Sequence, residues 1–138
     1  MALIKQCRGF EPQIGEDCWI AENATLVGDL IIGNQCSVWF NAVVRADVNS
    51  IRIGNRVNIQ DGAVLHCTYE KTKVDIGDNV SIGHNALIHG CKIESNVLIG
   101  MGSIVMDNCH IESNAIVAAG AVILEGTKVE SWSIYAGV

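Results

Sequence analysis

Residues 93–123 read IESNVL IGMGSI VMDNCH IESNAI VAAGAV I, five six-residue units that each begin on an aliphatic side chain. Outward from them the series continues through the whole chain. Before them stand Ile14, Ile20, Leu26, Ile32, Val38 and Val44, then Ile53, Ile59 and Leu65, then Ile76, Ile82 and Ile88; after them come Val129 and Tyr135. Of the 19 intervals between these 20 starts, 16 are six residues long. A helix repeats every 3.6 residues or so and a half-buried strand every 2, so neither makes this period without turns. Short strands separated by turns do, and a hexapeptide repeat indicates a parallel β-helix.

A second rule accompanies the first. Four residues after most starts stands a small or β-branched side chain: Cys18, Ala24, Cys36, Ala42, Ala63, Val80, Ala86, Val97, Ser103, Cys109, Ala115, Ala121, Thr127 and Ser133. Three strands closing a triangular coil leave room for only a small group beside each aliphatic knob. Cys18, Cys36 and Cys109 are therefore read as small apolar filler. Asn23, Asn79, Asn96 and Asn114 stand three after a start, at the corner, where asparagine tolerates a left-handed backbone. Three units make one 18-residue coil, and the starts span about seven coils, stacked roughly 4.8 Å apart. The period leaves the hand of the coil open.

The 138 residues make a single domain, with residues 1–13 as a lead-in and 14–138 as repeats. Hydrophobic residues are 49% of the chain but aromatics only 5%, so the core must be aliphatic. A net charge of −6 argues against nucleic acid or an anionic membrane as partner, since both need clustered Lys and Arg. No apolar run approaches the roughly 20 residues of a membrane span and no signal core opens the chain, which points to a soluble cytoplasmic protein. Its six cysteines are then expected as thiols.

The period breaks three times: Val44 to Ile53 is nine residues, Leu65 to Ile76 eleven, and Ile88 to Ile93 five. Arg45 and Asp47 lie in the first break, His66 in the second and His89 in the third. Reactive side chains clustering where a repeat is interrupted mark a candidate functional site. Val44, Leu65 and Ile88 are three starts apart, so Arg45, His66 and His89 should form one column, with Val27 and Met106 beyond its ends. Histidines stacked about 4.8 Å apart can tilt their nitrogens to the roughly 3.3 Å that a tetrahedral zinc with Zn–N near 2.0–2.1 Å requires. His84 falls two after Ile82, in a different column with Phe40, Asp61 and Met101. Five extended residues, roughly 16 Å, separate it from His89, so a second subunit in a threefold assembly is the natural way to bring it to that metal. His110 lies in a regular turn and reads as surface. Cys67, Cys91 and Trp39 read as packing.

These residues carry a resemblance. Arg45-Ala46-Asp47, Asn58-Ile59-Gln60-Asp61, His66 and the pair His84-x4-His89, set in hexapeptide repeats over residues 10 to 138, resemble the γ-class carbonic anhydrases. That resemblance implies an all-β, left-handed parallel β-helix assembled as a homotrimer with metal sites at the subunit interfaces. It implies Zn2+ held by His66 and His89 of one subunit and His84 of its neighbour, with Fe2+ or Co2+ also suited to imidazole. Arg45 is implied to pair with a carboxylate across the interface, Asp47 and Asp61 being the acids that match the motif. Gln60 is implied to hydrogen-bond the metal-bound water or a substrate oxygen, and Asn58 to support it. The implied reaction is reversible hydration of CO2 to bicarbonate, a small-molecule lyase chemistry, by hydroxide formed on the metal. Two departures stand out. The insertion Cys67–Lys73 holds a single acid, Glu70, where well-known members carry an acidic proton-shuttling loop, so activity is expected to be weak. The C-terminal helix that related chains pack along the prism is also expected to be missing from residues 1–138.

Two other functions fit the same repeats. A hexapeptide acyltransferase would use one histidine as base, whereas a CoA-thioester hydrolase could use the same zinc hydroxide; release of free thiol from acetyl-CoA would separate this function from the first. A catalytically idle trimeric scaffold would bind metal and hydrate nothing.

Overall fold

Each hexapeptide supplies a strand of two or three residues and then a turn, because the inward knob must be followed by a corner before the next face begins. The computed structural model describes all 138 residues and contains 19 strands and no helix. No helix long and apolar enough to cross a membrane is present.

The strands, numbered in chain order, form two sheets. The seven-stranded sheet holds β3 (Trp19–Ile20), β5 (Ser37–Val38), β7 (Asn58–Ile59), β10 (Ser81–Ile82), β13 (Leu98–Ile99), β16 (Ile116–Val117) and β19 (Ile134–Tyr135). The twelve-stranded sheet covers the other two faces. One holds β8 (Val64–His66), β11 (Leu87–His89), β14 (Ile104–Val105) and β17 (Val122–Ile123). The other holds β2 (Gln13–Ile14), β9 (Val74–Ile76), β12 (Lys92–Ile93), β15 (His110–Ile111) and β18 (Lys128–Val129). β1 (Leu3–Lys5), β4 (Thr25–Ile32) and β6 (Val43–Ile53) complete it, β6 pairing with β8 at one end and β9 at the other. All strand pairs are parallel and set start upon start: Ile59, Ile82 and Ile99 in one column, Leu65, Ile88 and Val105 in the next, Ile76, Ile93 and Ile111 in the third. One coil is thus three hexapeptides, as the period predicts.

The knobs and the small residues four places on close into one core cluster of 35 buried hydrophobic residues. Cys36 and Cys109 are buried in it, while Cys18, near one end of the prism, is only partly covered. The one buried serine in the small-residue column, Ser103, donates its hydroxyl to Gly100 O at 2.7 Å and so leaves no polar atom unpaired. Asn79, Asn96 and Asn114 adopt the left-handed backbone expected of them, at φ 55°, 60° and 63°. Asn23 does not; its amide instead spans one coil, Nδ2 donating to Asn41 Oδ1 at 2.7 Å and Oδ1 accepting from Asn41 N at 3.1 Å.

Two features depart from the simple coil. The lead-in is not without structure: β1 pairs with β4, Ile4 opposite Leu26, and occupies the edge that β4 would otherwise expose. The nine-residue break is no loop either. β4 and β6 run unbroken round a corner, with a register shift between Gly28 and Leu30, and Ala46, Leu30 and Ile51 buried along the bend. At φ +78° and against the Ala46 carbonyl, Gly28 has no space for a side chain.

The three outer faces differ. Beside β8 and β11 the outward column is Thr25, Val43, Val64, Leu87, Ile104 and Val122, almost wholly apolar. Beside β9 and β12 it is Ile31, Arg52, Asp75, Lys92, His110 and Lys128, a ladder of charge. The seven-stranded face mixes Trp19, Ser37, Asn58, Ser81, Leu98, Ile116 and Ile134.

Candidate metal centre

His66 ends β8 and His89 ends β11, directly opposite one another in the parallel register. Each is the first residue after a buried knob, so its side chain leaves the prism at the edge of the apolar face. Arg45 continues the column on β6, opposite Val27 on β4. The rings lie 5.1 Å apart between centroids, and His66 Nδ1 is 3.1 Å from His89 Nε2.

The outer nitrogens define what those inner nitrogens can be. His66 Nε2 stands 2.9 Å from Asp47 Oδ1 and His89 Nδ1 stands 2.5 Å from Asp107 Oδ1. A carboxylate only accepts, so both outer nitrogens carry the hydrogen. In neutral rings the inner nitrogens are then both bare lone pairs, pointed at each other. An extra proton or a cation held between them would satisfy both. Burial pushes His66 below the ordinary imidazole value, and the Arg45 charge adds to this; the bond to Asp47 opposes the shift without reversing it. The extra proton is therefore disfavoured on His66. The 3.1 Å gap is close to the roughly 3.3 Å between ligands of a tetrahedral zinc. The donor set fits a metal ion, and neutral imidazole is the form that ligates one.

Both carboxylates are held ionised. Burial pushes Asp47 up, but hydrogen bonds from Arg45 and His66 outweigh it and keep the group below the usual carboxylate range. Asp107 follows the same pattern, with Thr68 and His89 as the donors that outweigh burial. Arg45 and Asp47 also pair within the chain, at 2.5 Å. The two residues project from β6 two apart, hence on the same side of the strand.

His84 stands elsewhere. It follows β10 at the corner where the seven-stranded face gives way to the apolar one, stacked between Asp61 and Met101 in the expected column. Its Nδ1 lies 3.0 Å from Asp61 Oδ2, and its side chain is 47% exposed against 17% for His66. Within one chain no three His, Cys, Asp or Glu side chains converge as a metal cage. The fold thus brings together His66, His89, Arg45 and Asp47, and separately His84 and Asp61. Gln60, half-buried, precedes Asp61 at this second position. Asn58 accepts from Trp39 Nε1 at 2.7 Å and Ser37 Oγ at 2.9 Å, on the seven-stranded face. Trp39 itself packs with Trp19, 4.7 Å away. Cys67 and Cys91 are buried; burial pushes the Cys67 thiol up to about 11 and Cys91 higher still, so both are inert packing. His110 pairs with Glu94 at 2.7 Å on the charged face.

Fold and site define the class: a hexapeptide-repeat solenoid in which His66, His84 and His89 are each braced by an aspartate. Comparison with known proteins narrows it. The family described as bacterial transferase hexapeptide (six repeats) matches residues 11–46 and 90–125. A probable carbonic anhydrase of Methanocaldococcus jannaschii is 53% identical over 92 residues, 67% of this chain and 57% of that protein. The mitochondrial gamma carbonic anhydrase 2 of Arabidopsis thaliana is 40% identical over 103 residues, 70% of this chain and 36% of that protein. A solved hexapeptide transferase family protein from Anaplasma phagocytophilum superposes with a TM-score of 0.93 at 37% identity, covering 98% of this chain and 79% of that one. The chain belongs to the hexapeptide-repeat family, in its γ-class carbonic anhydrase branch. It spans little more than half the length of the Methanocaldococcus relative.

Proposed function

We propose that this protein is a γ-carbonic anhydrase-like metalloenzyme that converts carbon dioxide and bicarbonate reversibly, as a homotrimer with its metal sites at the joints between copies. The observation that carries this reading is the pair of bare imidazole nitrogens 3.1 Å apart, each ring braced from behind by an aspartate. The carbonic anhydrase name carried by the relatives supports it.

His66 and His89 would hold Zn2+, or Fe2+ or Co2+, from one copy, and His84 from a neighbour. Placement supports the sharing. His84 stands where the apolar face begins, just before β11, and His89 where it ends, as the last residue of β11. Packing three apolar faces about a threefold axis carries the leading edge of one copy to the trailing edge of the next. When bound, such an ion supplies the charge that makes water a nucleophile near neutral pH. The chain's own residues do the rest. Asp47, Asp107 and Asp61 hold the three rings in one tautomer and orientation. Gln60 orients water or a substrate oxygen from the His84 side, and Asn58 supports that edge through Trp39. Arg45, anchored by Asp47, keeps N–H donors free for the bicarbonate anion.

Metal analysis and stopped-flow CO2 hydration, on wild type and His84→Ala, test the reading. Wild type is expected to bind metal and hydrate CO2, and His84→Ala to lose the metal although His66 and His89 remain. A full metal complement in His84→Ala overturns the shared site, and metal without hydration points to an idle scaffold.

One observation favours a second reading. The exposed His84–Asp61 pair leaves Nε2 free, the arrangement of a general base in a hexapeptide acyltransferase or CoA-thioester hydrolase. Thiol release from acetyl-CoA that needs His84 but no metal would select it.

A further inference from the structure

We infer that Asp107 is the positioning residue of the His89 arm, and that the insertion after His66 exists to clamp it. This inference rests on the metal-site reading above. The two oxygens of Asp107 face different ways: Oδ1 meets His89 Nδ1 at 2.5 Å and Oδ2 accepts from Thr68 Oγ1 at 2.6 Å. The carboxylate cannot rotate without losing one of them. Thr68 is itself fixed, its backbone N–H donating to Thr72 Oγ1 at 2.9 Å, while the N–H groups of Lys71 and Thr72 return to Thr68 O at 3.2 Å. Thr72 is 6% exposed, one of only two buried polar residues in the chain, so this is a packed turn and not a loose loop.

Gly90 completes the clamp. A Cβ there would strike the Asp107 carboxylate and both Thr72 Oγ1 and Thr72 Cβ. The absent side chain is the space in which Asp107 and Thr72 sit. Two breaks of the repeat are thereby accounted for together. The eleven-residue interval after Leu65 supplies Thr68 and Thr72, and the five-residue interval after Ile88 brings Gly90 beneath them. The result is a His89 ring held with its Nε2 toward His66. A carboxylate behind a ligating imidazole typically contributes 10–100-fold in metal affinity.

The test reads the His89 ring directly. In the full-length, metal-free protein, 15N spectra of the imidazoles are expected to show His89 as the Nδ1–H tautomer. Folded Asp107→Ala is expected to populate the Nε2–H form and to bind zinc, measured against a chromophoric chelator, roughly 10–100-fold more weakly. Asp107→Asn retains an acceptor oxygen and is expected to keep the Nδ1–H tautomer with a smaller loss of affinity. Thr68→Val is expected to weaken zinc binding a few-fold. A part that merely staples the turn would move stability and leave the tautomer alone. Asp107→Ala with an unchanged tautomer and zinc affinity within twofold overturns the inference. Should Asp107→Ala fail to fold, Asp107→Asn decides it: unchanged zinc affinity, or a switched tautomer, overturns it. If wild type binds no zinc the metal-site reading fails, and the tautomer of Asp107→Ala still decides the role of Asp107.

Discussion

A methyl group at Gly90 would sit 2.7 Å from Thr72 Cβ, on a backbone already at φ +53°. Gly102 has a similar φ of +67° but open space around it. The two substitutions by alanine therefore separate backbone cost from crowding. Gly102→Ala should cost about 1–2 kcal/mol from the left-handed backbone, and Gly90→Ala about 1–3 kcal/mol more from overpacking. Urea midpoints measure both, and equal losses would show that nothing crowds Gly90. At this scale the sequence discloses unevenly. His66 and His89 are legible as a pair because both follow a start, three starts apart, and the register sets them opposite each other. Asp107 is not legible. Aspartate at a corner has an ordinary reason to be there, as at Asp78, whose Oδ1 accepts from Asn55 N at 2.7 Å. Only its contacts with His89 and Thr68 set Asp107 apart, and Thr68 lies in an insertion that no period describes.

Among elements, the strand knobs and their small companions follow from spacing alone. The column beside them admits no larger group: Ala86 is 1% exposed, and Ala86→Leu should cost about 1–3 kcal/mol in a urea titration. A loss below a few tenths would mean that the core has slack. What spacing does not disclose is the continuity of β4 and β6. An interval of nine reads as an interruption, yet backbone pairing between coils does not depend on which side chains point out. So Arg45 and Asp47 extend outward while Ala46 turns in, and the strand continues. The charged face makes a pH prediction. Lys128 holds Glu112 ionised, with Ser131 N–H also donating, and lowers its pKa to about 2. The unfolded carboxyl, near 4.5, takes up protons first, so this contribution is whole above 4.5 and is lost as pH falls toward 2. Glu112→Gln should lower the urea midpoint at pH 7, with the difference closing near pH 2. A difference independent of pH would show that the pair contributes nothing.

For the whole molecule the decisive asymmetry is between faces. A prism with one charged, one mixed and one apolar side has one side to hide, and Leu124 and Met106 stand exposed beside it, at 61% and 39%. In the proposed trimer, burying that side between copies would also join His84 of one to His66 and His89 of another. Replacing Leu87 by Glu, at the centre of the apolar column, should therefore dissociate the assembly in sedimentation and remove bound metal together; dissociation with metal retained would place the site within a single chain. The central claim, a metal centre shared between copies, is tested most directly by subunit complementation. His66→Ala and His84→Ala are unfolded, mixed in equal amounts and refolded, and bound zinc is counted. Each variant alone should hold none, and the mixture should regain about one quarter of the wild-type sites, as random assortment in a cyclic trimer requires. A mixture that stays metal-free, or a His84→Ala protein that binds zinc fully by itself, would contradict it.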